Sequence, residues 1–178
     1  MIKIEIDGFV RRSFTFPANL NVAFDHFREL STIVEWLPHI TMVECYDGGK
    51  CRLLYHSVEL SLYEINIYCD LDSEVDDQAK ILRLRPVHSE KTIKPQANLH
   101  ALTVQGYYAS ESVFKAEGGQ TRIDYQLNLR ARLPVPTAAR LMPASVLDMI
   151  ARNVMNKRID EIVSGFINRS IQEYQKNS

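Results

Sequence analysis

Excess charge of either sign is what this chain lacks first: its 178 residues set 21 lysines and arginines against 22 aspartates and glutamates, a formal −1. Such a balance exerts no long-range pull on nucleic acid or on an anionic bilayer. Long apolar runs are missing too. No stretch approaches the ~18 apolar residues of a membrane span, so stable membrane insertion is not expected. The N-terminal "MIKIEIDGFVRRSF" alternates apolar and charged residues where a signal peptide would be uninterruptedly apolar. The expected compartment is the cytosol.

Cysteine is scarce. Cys45, Cys51 and Cys69 are odd in number and form no C-x-x-C or zinc-finger spacing, which fits free thiols in a reducing compartment. Cys45 and Cys51 flank the turn "YDGGK"; they either face each other across a hairpin or stand unpaired on two strands. Among His26, His39, His56, His88 and His100 there is no i,i+4 pair and no neighbouring cysteine in a ligand pattern, so no metal is expected. There is no phosphate loop, dinucleotide glycine fingerprint or G-x-S-x-G elbow either. No cofactor is implied.

What is present is an ordinary globular composition, 46% hydrophobic and 24% charged, at a length that suits one domain spanning residues 1–178. Ile2, Ile4 and Ile6 alternate with charged residues. Extended character resumes from Phe9 to Phe16, so the first strand is long or is broken at Gly8. After Pro17, Asn19 or Asn21 can cap a helix carrying Phe24, Phe27 and Leu30 at steps of three. "TIVE" (Thr32 to Glu35) fits a capping box and predicts a second short helix. The single tryptophan, Trp36, follows at its end, before Leu37 and Pro38.

From Ile40 to Leu133 the period becomes two. Ile40 to Cys45 is a strand. In Cys51 to Leu62 the positions Leu54, Val58, Leu60 and Leu62 share a face that also carries His56. Tyr63, Ile65, Ile67, Cys69 and Leu71 alternate with polar residues, and the phase change at Leu62–Tyr63 predicts a bend. "VDDQ" (Val75 to Gln78) turns into Ala79 to Arg85, and Pro86 to Gln96 reads as a loop. Leu99 to Ala116 is a strand, "EGGQ" (Glu117 to Gln120) a hairpin turn. Ile123, Tyr125, Leu127, Leu129, Ala131 and Leu133 then alternate with polar residues, the pattern of an antiparallel strand with one wet face. After "LPVP", a 3.6 period predicts one helix from about Ala144 to Gln175, weakened only at Gly165.

Strand, two short helices, a meander of about six strands and a long terminal helix make an α+β chain. A twisted antiparallel sheet of about seven strands would curl around that helix. In "FTFPANLNVAFDHFRELSTIVEWLPHI" (Phe14 to Ile40), "EGGQTRIDYQLNLRARLPVP" (Glu117 to Pro136) and the terminal helix, the chain resembles the START-like, or helix-grip, superfamily. That superfamily includes pollen-allergen relatives, polyketide cyclases and coenzyme Q-binding proteins. "RLMPASVLDMIARNVMNKRIDEIVSGFINRSIQEYQ" resembles an uncharacterised cyanobacterial and plastid branch of it. The resemblance covers roughly residues 10–175. It implies a hydrophobic pocket between helix and sheet but no particular reaction.

The expected function is binding of a hydrophobic small molecule: lipid, isoprenoid, quinone or pigment-like. Phe24, Phe27, Trp36, His56, Tyr63, Ile67, Tyr125, Leu127, Val154, Met155 and Ile159 are the candidate wall, with Trp36 as a gate at its mouth. His56 has a plainer reading as a histidine bonded to a neighbouring side chain or lying at the sheet edge, the others as core, and Met149 and Met155 equally fill irregular gaps. Tyr55, Tyr107 and Tyr108 are further tyrosines able to line a pocket. A cyclase- or hydrolase-type enzyme would need an acid–base pair, for which His56 and Tyr125 are the candidates. A protein-interaction module with a filled pocket is the third alternative. Arg130, Arg132, Arg140, Arg152, Lys157 and Arg158 either attract an acidic surface in a transient membrane contact or are solvated faces.

Overall fold

The computed structural model describes residues 3–59, 63–88, 91–136 and 139–177. Ile2, Leu60 and Leu62, and with them the bend expected at Leu62–Tyr63, lie at or beyond the edge of the described residues.

Strand β1 (Lys3–Phe16) runs unbroken through Gly8. Its inward set, Ile4, Ile6, Gly8, Val10, Phe14 and Phe16, follows from the alternation of side chains along a strand. It pairs along its whole length with β8 (Gln120–Pro134), which pairs in turn with β7 (Ala101–Glu117) through the Gly118–Gly119 turn. The sheet continues through β5 (Ile81–Pro86), β4 (Tyr63–Asp76) and β3 (Cys51–Glu59) to an edge at β2 (Ile40–Cys45). A two-residue β6 (Gln96–Ala97) adds to β7 inside what the sequence reads as a loop, so the sheet has eight strands where about seven were expected. β4 also runs parallel to β7 over Glu64–Tyr68, beyond the reach of the short β5.

Two short helices follow β1, as expected. α1 (Leu20–His26) is capped by Asn19, whose side-chain oxygen accepts the Val22 N–H at 3.2 Å. α2 (Leu30–Trp36) starts ahead of the "TIVE" box, behind Glu29, with no side-chain cap; Thr32 is inside the helix and caps nothing. Ile33 and Trp36, three apart, share the inward face, and both are buried. Leu37 is then extended before Pro38, as the proline ring requires.

α3 (Ala144–Asn177) has 34 residues, about 51 Å of rod. It packs mainly on β1 and α2. Its burial is uneven. Met155, Ile159, Ile162, Val163, Phe166 and Ser170 are buried, and every one lies in the second two-thirds of the helix. Ahead of them Leu147, Ile150, Ala151 and Val154 are only half-buried.

Gly165 fixes where α3 meets α2. A Cβ there would overlap Pro38 Cγ and lie 2.8 Å from its Cδ. Helix propensity alone would make Gly165→Ala stabilising by ~1 kcal/mol, whereas overpacking against a rigid ring costs ~1–3 kcal/mol. The clash wins. Gly165→Ala is expected to lower the urea midpoint, and Pro38→Ala in the same chain to recover much of the loss, so that the two changes are non-additive.

Candidate functional site

Two regions lie between the sheet and α3, and they differ in how completely they are filled. Under the second half of α3 the space is packed by aromatic rings. Phe27 is central, with centroids 5.2 Å from Phe16, 5.1 Å from Trp36, 5.4 Å from Phe114 and 5.8 Å from Phe166. Phe24 meets Phe114 edge-on at 5.3 Å, and Tyr125 stacks on Phe166 at 4.6 Å. His26 stacks on Trp36 at 4.9 Å, and its Nε2 donates to the Ser170 carbonyl. The indole N–H of Trp36 donates to Glu173. Such ring pairs contribute ~0.5–1.5 kcal/mol each beyond area burial.

Under the first half of α3 the space is open. A cavity of about 340 Å³ lies there with an almost wholly apolar wall. The helix contributes Leu147, Ile150, Ala151, Val154 and Met155, and β1 contributes Ile4 and Ile6. Leu53 and Tyr55 come from β3, Tyr63, Ile65, Ile67 and Cys69 from β4, Leu102, Tyr107 and Tyr108 from β7, and Leu129, Ala131 and Leu133 from β8. Pro134, Pro136, Ala139 and Met142 bound it where the chain leaves the sheet for α3. Leu141, beside Met142, is 96% exposed. Gly8 marks the boundary of the two regions: a Cβ there would sit 2.8 Å from Met155 Sδ and 3.1 Å from Ile159 Cδ1. Helix and strand are in contact at that point and part beyond it.

The polar groups on this wall are few. Arg158 lies in the lining with Glu59 and is held by it at 2.8 and 3.1 Å, and Glu161 accepts a further bond from Arg158 at 2.6 Å. Burial alone would raise the Glu59 carboxyl; the bonds and charge of Arg158, together with Ser57, outweigh it and hold the group below its usual value. His39 Nε2 reaches Glu161 at 3.2 Å. The cation is therefore saturated by carboxylates and ties α3 to β3. Tyr63 carries a buried hydroxyl without a hydrogen-bond partner among the described residues, and burial raises its phenol. Burial also pushes the Tyr108 phenol up, and the Tyr125 phenol well above its ordinary range. The Cys69 thiol is pushed up to about 12 by burial. At neutral pH neither these phenols nor the Cys69 thiol is an anion ready to take a proton, and the Glu59 carboxylate is engaged by Arg158.

Of the candidate wall residues, Tyr63, Ile67, Val154 and Met155 come together around the cavity. Phe24, Phe27, Trp36 and Tyr125 belong instead to the aromatic packing, and Leu127 and Ile159 are buried outside the lining. Trp36, 1% exposed, is a packed core residue and not a gate at the mouth. His56 is also misplaced by the strand reading. The inward positions of β3 are Cys51, Leu53, Tyr55, Ser57 and Glu59, so His56 and Val58 are exposed on the outer face, where His56 Nδ1 lies 2.9 Å from Asn66 Oδ1. His56 and Tyr125 therefore stand on opposite faces of the sheet and form no acid–base pair. Of the Glu59–Arg158 pair, only Arg158 is among the sequence candidates, there as a surface cation; here it is bonded to Glu59 and Glu161.

No family model matches the sequence, and no curated protein matches it. Solved structures do share the fold. A protein of Thermus thermophilus aligns with a TM-score of 0.55 at 16% identity, over 93% of this chain and 99% of its own. The Zhui aromatase/cyclase of a Streptomyces species gives 0.59 at 10% identity, over 96% and 95%. The di-domain aromatase/cyclase StfQ of steffimycin biosynthesis gives 0.52 at 10% identity, over 98% of this chain and 53% of its own. At such identities the likeness establishes the fold, a curved sheet gripping a long terminal helix, and aromatase/cyclases are among the proteins built on it. Among the described residues no helix is long and apolar enough to cross a membrane.

Removing a fully buried tryptophan from a ring cluster costs ~3–5 kcal/mol. Trp36→Ala is expected to lose stability on that scale in denaturant titration, while uptake of an apolar fluorescent dye per folded molecule stays at the wild-type level. A gating tryptophan would give the reverse.

Proposed function

We propose that this chain is a cytosolic binding protein for a small hydrophobic molecule, lipid, isoprenoid, quinone or pigment-like, held beneath the first half of α3. The observation that carries this reading is the cavity itself: about 340 Å³ with an almost wholly apolar wall. It falls within the ~300–1,000 Å³ range of small-molecule sites. Burying about 200 Å² of apolar ligand surface would contribute ~5 kcal/mol, enough to offset part of the cost of immobilising a ligand. Tyr63, Ile67, Val154 and Met155 are the wall residues retained from the sequence, and the α3 sequence supports kinship with the cyanobacterial and plastid branch.

The rival readings have less behind them. A module with a filled pocket needs a hollow clearly smaller than this one. The aromatase/cyclase neighbours support a ring-bearing ligand through shape. A cyclase or hydrolase mechanism would need an acid–base pair at the cavity, and the pair offered by the sequence does not meet there.

Native mass spectrometry of the protein purified from the cells that make it is expected to show an apolar mass bound at one per chain. Ala151→Phe places a ring in the hollow and should abolish that mass while leaving the unfolding free energy within about 0.5 kcal/mol of wild type, since the ring fills space already present. A wild-type chain without any bound mass, which also fails to take up lipids or isoprenoids added to it, would overturn the proposal.

A further inference from the structure

At the edge of the sheet, away from the cavity, three sulfur atoms converge. In the β2–β3 ladder Met42 opposes Leu53, yet Glu44 opposes Arg52 and Cys45 opposes Cys51, so Val43 is an extra residue. This bulge changes which way side chains point. In a regular strand Met42 and Cys45, three apart, would face opposite sides; with one residue bulged out they face the same side. The Cys45 thiol donates to Met42 Sδ at 3.2 Å and lies 2.8 Å from Cys51 Sγ.

The ladder also sets the backbone separation for a covalent bond. Tyr46 N–H donates to the Lys50 carbonyl at 2.7 Å, which makes Tyr46 and Lys50 the hydrogen-bonded pair. Cys45 and Cys51 are the next pair along, the non-hydrogen-bonded kind, with Cα atoms ~4.5 Å apart. That lies within the ~4.4–6.8 Å window of a disulfide. The two thiols are unequal. Cys45 is exposed, whereas Cys51 is 6% exposed. Burial first, then the adjoining Cys45, pushes the Cys51 thiol up to about 12. Cys51 is thus a poor source of thiolate but is already seated against its partner.

We propose that Cys45 and Cys51 form a thiol–disulfide exchange site for small-molecule disulfides of the glutathione type, with Cys45 attacking and Cys51 resolving. In the first step the Cys45 thiolate attacks one sulfur of the disulfide RSSR. A Cys45–SR bond forms, the S–S bond of RSSR breaks, and RS⁻ leaves to take up the proton that Cys45 gave. In the second step Cys51 attacks Cys45 Sγ. The Cys45–Cys51 bond forms, the second RS⁻ leaves, and the Cys51 proton goes to it. Two protein thiols are oxidised to one disulfide, one RSSR is reduced to two RSH, and no other oxidant enters.

The test is incubation with oxidised glutathione followed by intact-mass analysis and peptide mapping. Wild type is expected to lose two hydrogens without accumulating an adduct, leaving Cys69 as its one free thiol. Cys51→Ser should stop at the first step and keep one glutathionyl group on Cys45. Cys51→Ala gives the same reading if serine proves too polar for the buried position. Cys45→Ser should react at least tenfold more slowly than Cys51→Ser. A stable glutathionyl adduct on the wild type, a disulfide between two chains, Cys51 reacting in Cys45→Ser as fast as Cys45 does in Cys51→Ser, or no change of mass would each overturn the assignment.

Discussion

A straight helix cannot follow a curved sheet, and the rest of this structure depends on where the two part. α3 is about 51 Å long and is in contact with β1 as far as Gly8, where Met155 and Ile159 lie so near the backbone that a Cβ would collide with them. On one side of that point the gap is closed by rings, by Gly165 lying on Pro38 and by the Trp36–Glu173 bond. On the other side the sheet curves away and nothing among the described residues fills the space. The hollow is a geometrical remainder of that divergence, kept open because the packed half holds the helix at a fixed inclination.

Order and type of the elements were legible because their physical causes are local. β1 and β8 each have one wet and one dry face, so period-two alternation was written along their whole length. α3 declared itself through a long 3.6-period stripe, and Asn19 through its capping chemistry. β3 was harder. "CRLLYHSVE" is apolar on both parities, and the longer apolar series, Leu54, Val58, Leu60 and Leu62, pointed the wrong way. The useful signal was charge. Arg52 and His56 share that parity, and Arg52 pairs with Asp70 on the sheet's outer side, at 2.7 Å, under the Lys91 segment, whose carbonyl accepts a bond from Arg52. A face carrying an arginine and a histidine was the outer one.

Trp36 failed for a different reason. Its place just before Leu37 and Pro38 suggested a rim position, yet Ile33 and Trp36 are three apart, about 60° around a helix, and share one face wherever the helix starts. The site itself was only partly legible. About a third of its wall comes from β3, β4 and β7, and which of their residues approach α3 depends on sheet curvature. No short stretch of sequence encodes that. The Glu59–Arg158 pair joins residues 99 apart in the chain, and pairing over such a distance has no local signature.

The uneven packing of α3 also bears on access to the hollow. Local opening costs least where few apolar contacts must be broken. Over Leu147–Val154 the inward side chains are half-buried, and Leu141, Met142 and Met149 next to them are exposed. Lifting this half uncovers little that is not already near solvent, while lifting the other half would break the aromatic cluster. Arg158 sits at the hinge point between them, bonded to Glu59 on the sheet and to Glu161 one turn along. A largely desolvated ion pair of this kind is costly to break one-sidedly, so it pins the helix to the sheet at the boundary of the two halves. The ring cluster anchors one half of α3, and the other half has fewer apolar contacts to hold it.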